Sequence, residues 1–434
     1  MISFDAWKDG RVSPTKHTVK VIEPKPGPKP EPVSKRFIKT LVHPDRSADV
    51  SDVRFFAGGS KLFATGYPSG ILQVFEISSG KEISRIQSPP GYRGTSEYAL
   101  VTPDWQTVYV PTERRKVVSF EKDGLKQRRI EYDGELLAWN LADGKQLAAL
   151  KPSAPDRSVL VGYISPTGDK LITVERPGFN VKEDMPNETE LWDLKTRTAT
   201  ALGSGYGMAA FSGDGRRVAV TLFGTTKQDG RMVVTDIPSG RVLFTAKPAS
   251  KGRGVSWPKF SPDGKTLAVE DSPGRIDQPA TLRLYNVEDG KEFAAFHTEG
   301  RYPFRDFAFS PDSRRLVAVD YQRKLWVWDA VTGKVERTYV LAGLKFANHI
   351  SFSPDNKWLA VLGQPEWNEA EVGRDPDPAD LPQPRVFLFQ MGRSNSPEVV
   401  ICPYGYCGGL AFSPDGKTLA VGGAGGVHLF ALVP

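Results

Sequence analysis

Two cysteines and five histidines are all that 434 residues supply as soft metal ligands and neutral-pH proton carriers. Two cysteines cannot frame a disulfide scaffold, and so few histidines leave little material for a metal centre or an acid–base pair. No cofactor and no metal site is expected. Long hydrophobic runs are missing too. No stretch reaches the roughly 18 uncharged apolar residues that a membrane-crossing helix needs, so no membrane span is expected. The opening residues, MISFDAWKDGRVSP, contain no apolar h-region. No signal peptide is expected from them, which places the chain in the cytoplasm, or outside it if a leader has been removed. There is no Gly-x-Ser-x-Gly nucleophile elbow and no glycine-rich phosphate loop after a strand. Neither charge sign dominates. The net charge of +6 over the whole chain is a mild bias that bears on solubility, and nucleic acid is not an expected partner.

What is abundant is turn chemistry. The chain holds 42 glycines, 35 prolines and 23 phenylalanines, a mixture suited to many short strands joined by tight turns. The phrase FSPDGKTLAV stands at Phe260–Val269 and recurs letter for letter at Phe412–Val421. Proline presets φ for the second position of a turn, aspartate suits the next, and glycine accepts positive φ. Apolar residues on both sides make the phrase a β-hairpin specification. Looser copies start at Phe56, Val101, Ile164, Phe211, Phe309 and Phe352, giving eight copies at intervals of 43 to 63 residues. Each is followed by a second hairpin signal, as in Leu72–Ile86, Leu136–Leu150, Met232–Ala246, Leu282–Phe296 and Leu325–Tyr339. One repeat is therefore four strands, a to d, in about 45–50 residues, the period and strand count of a propeller blade.

On these residues the chain resembles the WD40-type β-propeller superfamily, in the bacterial style where FSPDGKxLA marks strands a and b. Trp192-Asp193 and Trp328-Asp329 supply WD dipeptides at the end of strand c. Phe75-Glu76, Trp139-Asn140, Thr235-Asp236, Tyr285-Asn286 and Phe389-Gln390 replace them elsewhere. The family's Gly-His signature ahead of strand a is missing from every repeat. His349 precedes a strand a with no glycine before it, so the family's buried His–Ser–Asp network is not expected to carry over.

The expected fold is all-β: a single propeller of eight four-stranded blades, or seven if the copy at Phe56 is not a strand. Blades are expected at about 53–88, 98–150, 159–202, 207–247, 256–298, 305–341, 348–401 and 408–434. The last lacks a strand d. Residues 36–42, RFIKTLV, match the other d strands and are expected to pair with it, closing the ring. Residues 1–35 read as a Pro/Lys-rich leader or linker, extended over Glu23–Pro32.

In a blade the a–b and c–d turns share one face, and the b–c and d–a connections share the other. Three b–c segments are long, at 111–134, 175–190 and 363–385, and make that face the candidate binding surface. The first carries Arg114, Arg115, Lys116, Arg128 and Arg129, with Asp123-Gly124 placed to turn an extra hairpin. The third carries Trp367, a lone aromatic anchor, among Glu369, Glu371 and Asp375. Its carboxylates lack calcium-loop spacing. Asp104, Asp214, Asp263, Asp312, Asp355 and Asp415 recur around the opposite face and read as turn residues rather than a cation ring. Cys402 and Cys407 could close a small disulfide in an oxidising compartment and are otherwise two thiols. The resemblance implies a non-enzymatic protein-interaction scaffold, a monomeric ring with an unidentified protein partner. The alternative is a ligand-binding, metal-binding or enzymatic propeller using the central channel. Against it stands the absence of the C-x-x-C-H haem site of eight-bladed haem oxidoreductases.

Overall fold

The computed structural model describes residues 6–8, 11–13, 35–42, 49–67, 70–87, 92–94, 99–122, 125–151, 157–177, 187–204, 207–222, 230–248, 253–273, 280–297, 303–366, 383–392, 397–402 and 407–432. Eight antiparallel sheets follow one another around a ring as an eight-bladed β-propeller, each built from four strands in the order a-b-c-d. Strand a of the first blade is Asp49–Phe56, so the Phe56 copy of the phrase does end a strand and the count is eight. Glu23–Pro32 lies outside the described residues. Ahead of it, Ala6–Lys8 pairs with Arg11–Ser13 in a short hairpin.

The sixth blade shows how sequence makes the unit. Its strands are Phe304–Phe309, Arg315–Asp320, Lys324–Asp329 and Val335–Val340. Successive strand residues point to opposite faces. Leu316 and Ala318 accordingly pack towards the fifth blade, and Val317 and Val319 towards the seventh. Strand b is covered on both faces and reads as an unbroken apolar run. Strand d, VERTYV, is polar and largely exposed at the outer rim. The same rule gives one hydrophobic cluster at each of the eight blade-to-blade interfaces.

The repeated phrase closes its turn with side chains as well as backbone. In the fifth blade the Ser261 hydroxyl donates to Asp263 Oδ1 at 2.6 Å and accepts the Thr266 amide at 2.9 Å. Asp263 Oδ1 also accepts the Lys265 amide. Ser212–Asp214, Ser310–Asp312, Ser353–Asp355 and Ser413–Asp415 repeat the clamp. The aspartate of the WD dipeptide caps the c–d turn in the same manner. Asp329 Oδ1 accepts the amides of Val331 and Thr332 at 2.9 and 2.7 Å. Asn286 accepts the Glu288 amide at 2.8 Å, so asparagine substitutes freely there.

Phe37–Val42 pairs antiparallel with Gly426–Ala431 and completes the eighth blade, as expected for a closing strand. Leu41 is buried in the cluster between the eighth and first blades. Arg36 grips Glu398 of the seventh blade with two bonds of 2.6 and 2.8 Å and donates to the Ala431 carbonyl at 3.1 Å. The seam is tight. A Cβ at Gly408 would lie 2.9 Å from Ser51 Cα, and one at Gly409 would lie 3.0 Å from the Val53 nitrogen, so only glycine lets the first strands of the two blades approach so closely.

Candidate functional site

The b–c connection of the second blade is built as an extra hairpin. Thr107–Lys122 extends beyond the blade and pairs with Leu125–Asp133, with Lys122 opposite Leu125. Tyr92–Gly94, from the preceding connection, pairs with the same long strand. The register sets Arg114 opposite Asp133, Lys116 opposite Glu131, and Arg115 opposite Tyr132. Arg128 and Arg129 stand opposite Ser119 and Val118. The five basic positions thus share one hairpin, interleaved with acidic ones. Trp367, Glu369, Glu371 and Asp375 lie outside the described residues. Strand b of the seventh blade ends at Pro365 and strand c starts at Arg385. Cys402 and Cys407 are both buried in the cluster between the seventh and eighth blades, with no disulfide between them.

The first strands of neighbouring blades approach one another, as those of the sixth and seventh and of the eighth and first blades do. Between those of the fifth, sixth and seventh blades, Arg253–Phe260, Phe304–Phe309 and Leu344–Phe352, a cavity of about 250 Å³ opens into the channel. Trp257 reaches it from a bulge. The register jumps between Ser256 and Lys259, and Trp257 takes φ +52° with 55% of its surface exposed. A bulky residue in that conformation is strained, and such strain is held at sites where the surroundings fix it.

The cavity wall is polar and ordered. Lys259 Nζ pairs with Asp306 Oδ1 at 2.8 Å and donates to the Phe307 carbonyl. Asp306 Oδ2 accepts the Ile350 amide at 2.9 Å, linking three blades through one carboxylate. Glu270 is 3% exposed and accepts the Phe304 amide at 3.1 Å. Burial pushes its carboxyl up to about 7, the Phe304 amide pulls it back, and Asp271 adds to the rise. Burial holds His349 below its ordinary value against the opposing pull of Asp306 and Asp52, so its imidazole is neutral at pH 7. Arg305 packs its guanidinium against the rings of Tyr321 at 4.2 Å and Phe346 at 4.9 Å. Tyr321 follows strand b of the sixth blade, so the cavity lies towards the face of the b–c connections.

Sequence reasoning did not find this cavity, and His349 sits inside strand a rather than ahead of it. The available signal was the run just before three of the phrases: VSWPKF, FRDFAF and ANHISF place charged or aromatic residues there, as GMAAF and CGGLAF of the fourth and eighth blades do not. Among the described residues the histidines do not converge. His297 and His428 bond to Thr281 and Thr40 at 2.9 and 3.0 Å in separate blades, and His17 and His43 lie outside the described residues. Among the described residues no group of three or more His, Cys, Asp or Glu is placed to hold a metal ion. Nor, among them, is any helix long and apolar enough to cross a membrane.

The architecture is that of an eight-bladed β-propeller. Among solved structures, the crystal structure of the C-terminal WD40 domain of Sif2 is similar, with a TM-score of 0.59, 14% sequence identity, and coverage of 92% of this chain and 98% of that one. At that identity the likeness is one of fold. No protein-family model matches the chain, and no curated protein matches its sequence.

Proposed function

We propose that the protein is a non-enzymatic interaction scaffold, a monomeric cytoplasmic ring that binds a protein partner through the face carrying the long b–c connections. The observation that supports this reading is an asymmetry between the two faces. One consists of clamped turns, such as Ser261–Asp263 and Asp329–Thr332, with their polar groups already engaged. The other receives the hairpin Thr107–Asp133 and the connections from Pro177 to Glu188 and from Pro365 to Arg385. Binding residues are commonly carried by variable loops on a rigid frame. Arg114, Arg115, Lys116, Arg128 and Arg129 are the proposed electrostatic contacts, and Trp367 with Glu369, Glu371 and Asp375 the proposed anchor and rim. Replacing 367–382 by a short Gly-Ser turn, which keeps strands b and c of the seventh blade whole, tests this directly. Loss of partner capture with an unchanged melting temperature is the expected result. Undiminished capture would refute the role of that loop.

A further inference from the structure

The cavity between the fifth, sixth and seventh blades has three of its four carboxylate oxygens engaged and three of its donor side chains unspent. Asp306 uses both carboxylate oxygens on Lys259, Phe307 and Ile350. Glu270 Oε1 is taken by the Phe304 amide. Lys259 is neutralised by Asp306 and further occupied by a carbonyl. By contrast, the side chains of Trp257, Arg305 and Asn348, which line the same space, make no hydrogen bond or ion pair among the described residues. All three can donate, and Arg305 offers a fork that matches a carboxylate. A charged guanidinium held in place by two rings and lacking a counter-ion is arranged for an anion from outside.

We propose that this cavity binds a small aromatic carboxylate, its carboxylate on Arg305 and Asn348 and its flat ring against Trp257. With Lys259 paired to Asp306 and Glu270 protonated below about pH 7, Arg305 is the one uncompensated cation in the cavity, and it matches a single negative charge better than the double charge of a phosphate. The exposed indole of Trp257, with the buried Phe304 and Phe307 beside it, supplies an apolar wall. At about 250 Å³ the space is below the roughly 300–1,000 Å³ of drug-sized ligands, so the occupant is metabolite-sized. The cavity lies towards the same face as the proposed partner surface and uses different residues.

Titration calorimetry of the full chain with benzoate, benzamide and inorganic phosphate tests it. Saturable benzoate binding is expected, with benzamide and phosphate weaker by about tenfold or more. Arg305→Gln should lose about tenfold or more, and Arg305→Lys should fall between, since it keeps the charge but not the fork. If Arg305→Gln does not fold, Asn348→Asp places an anion on the same wall and should abolish binding. Absence of saturable heat at millimolar benzoate would overturn the assignment. So would binding that survives these substitutions, or phosphate binding as tight as benzoate.

Discussion

Ser313 Oγ accepts the Asp263 amide at 3.0 Å, joining the a–b turns of two blades across 50 residues of chain. Ser313 stands where the repeated phrase has glycine, and it holds φ +60°. Two other turns break the glycine rule at the same place, Trp105 at φ +56° and Asn356 at φ +59°. Each also reaches the preceding blade. Trp105 stacks on Phe56 with centroids 4.3 Å apart, and Asn356 donates to Asp312 at 2.7 Å. In the glycine turns a Cβ would point the same way: at Gly416 it would meet the Asp355 carboxylate at 3.3 Å. The position thus trades backbone ease for a lateral bond between blades.

Glycine substitution separates the two terms. Left-handed strain on an L-residue costs about 1–2 kcal/mol. Ser313→Gly relieves it and loses one partly exposed hydrogen bond, so stability should change by less than about 1 kcal/mol. Trp105→Gly removes a stacked ring packed on the first two blades and should cost about 1–3 kcal/mol net. Urea denaturation of both variants measures the difference.

The serine of the phrase is buried and makes two bonds at once. Ser261→Ala should therefore cost about 1–3 kcal/mol. The clamp also predisposes the ring to acid unfolding. The Thr102, Ser212 and Ser413 hydroxyls, with help from backbone amides, hold Asp104, Asp214 and Asp415 below their ordinary 3.8. A carboxyl whose pKa is lower in the folded chain stabilises above the unfolded value and loses that contribution as pH falls through the folded value. Melting temperature should drop steeply below pH 3.8, and in Ser413→Ala the share of Asp415 in that drop should shrink.

Glu270 acts in the opposite direction and in another window. Its folded value of about 7 lies above the ordinary 4.5, so the folded chain keeps a proton that the unfolded chain releases. Its contribution is complete below pH 4.5 and is lost as pH rises to about 7. Glu270→Gln keeps an acceptor for the Phe304 amide and removes the titration. The variant should gain on the order of 3 kcal/mol relative to wild type between acidic and mildly alkaline pH. Denaturation curves at several pH values check the slope.

Ring closure rests on burial more than on charge. Leu41 is 1% exposed in the seam, so Leu41→Ala should cost about 2–5 kcal/mol. The Arg36–Glu398 pair is partly exposed, and Arg36→Ala should cost up to about 1 kcal/mol, less at high salt. Thermal melts of the two variants at low and high salt distinguish these contributions.

The blades were legible because a turn is local chemistry. Ser, Pro, Asp and Gly within four residues specify it, and the apolar runs beside it are strands. The closing strand was legible by its likeness to other d strands. The channel cavity was not, because Trp257, Arg305 and Asn348 come from three repeats and line one space only when successive blades stack. Their positions precede the repeated phrase, where the pattern is silent. The length of the seventh strand a, Leu344–Phe352, was hidden by bulges that break its alternation and bring His349 into the strand. The placing of Arg114 opposite Asp133 needed the hairpin register, which sequence charge counting passes over.

Hydrogen exchange of the ring with and without its captured partner tests the central claim most directly. Protection should appear in 111–134 and 363–385, and the Ser-Pro-Asp-Gly turns at 261–264 and 413–416 should exchange unchanged. Protection of those turns, with the long connections unaffected, would place the partner on the opposite face and contradict the account.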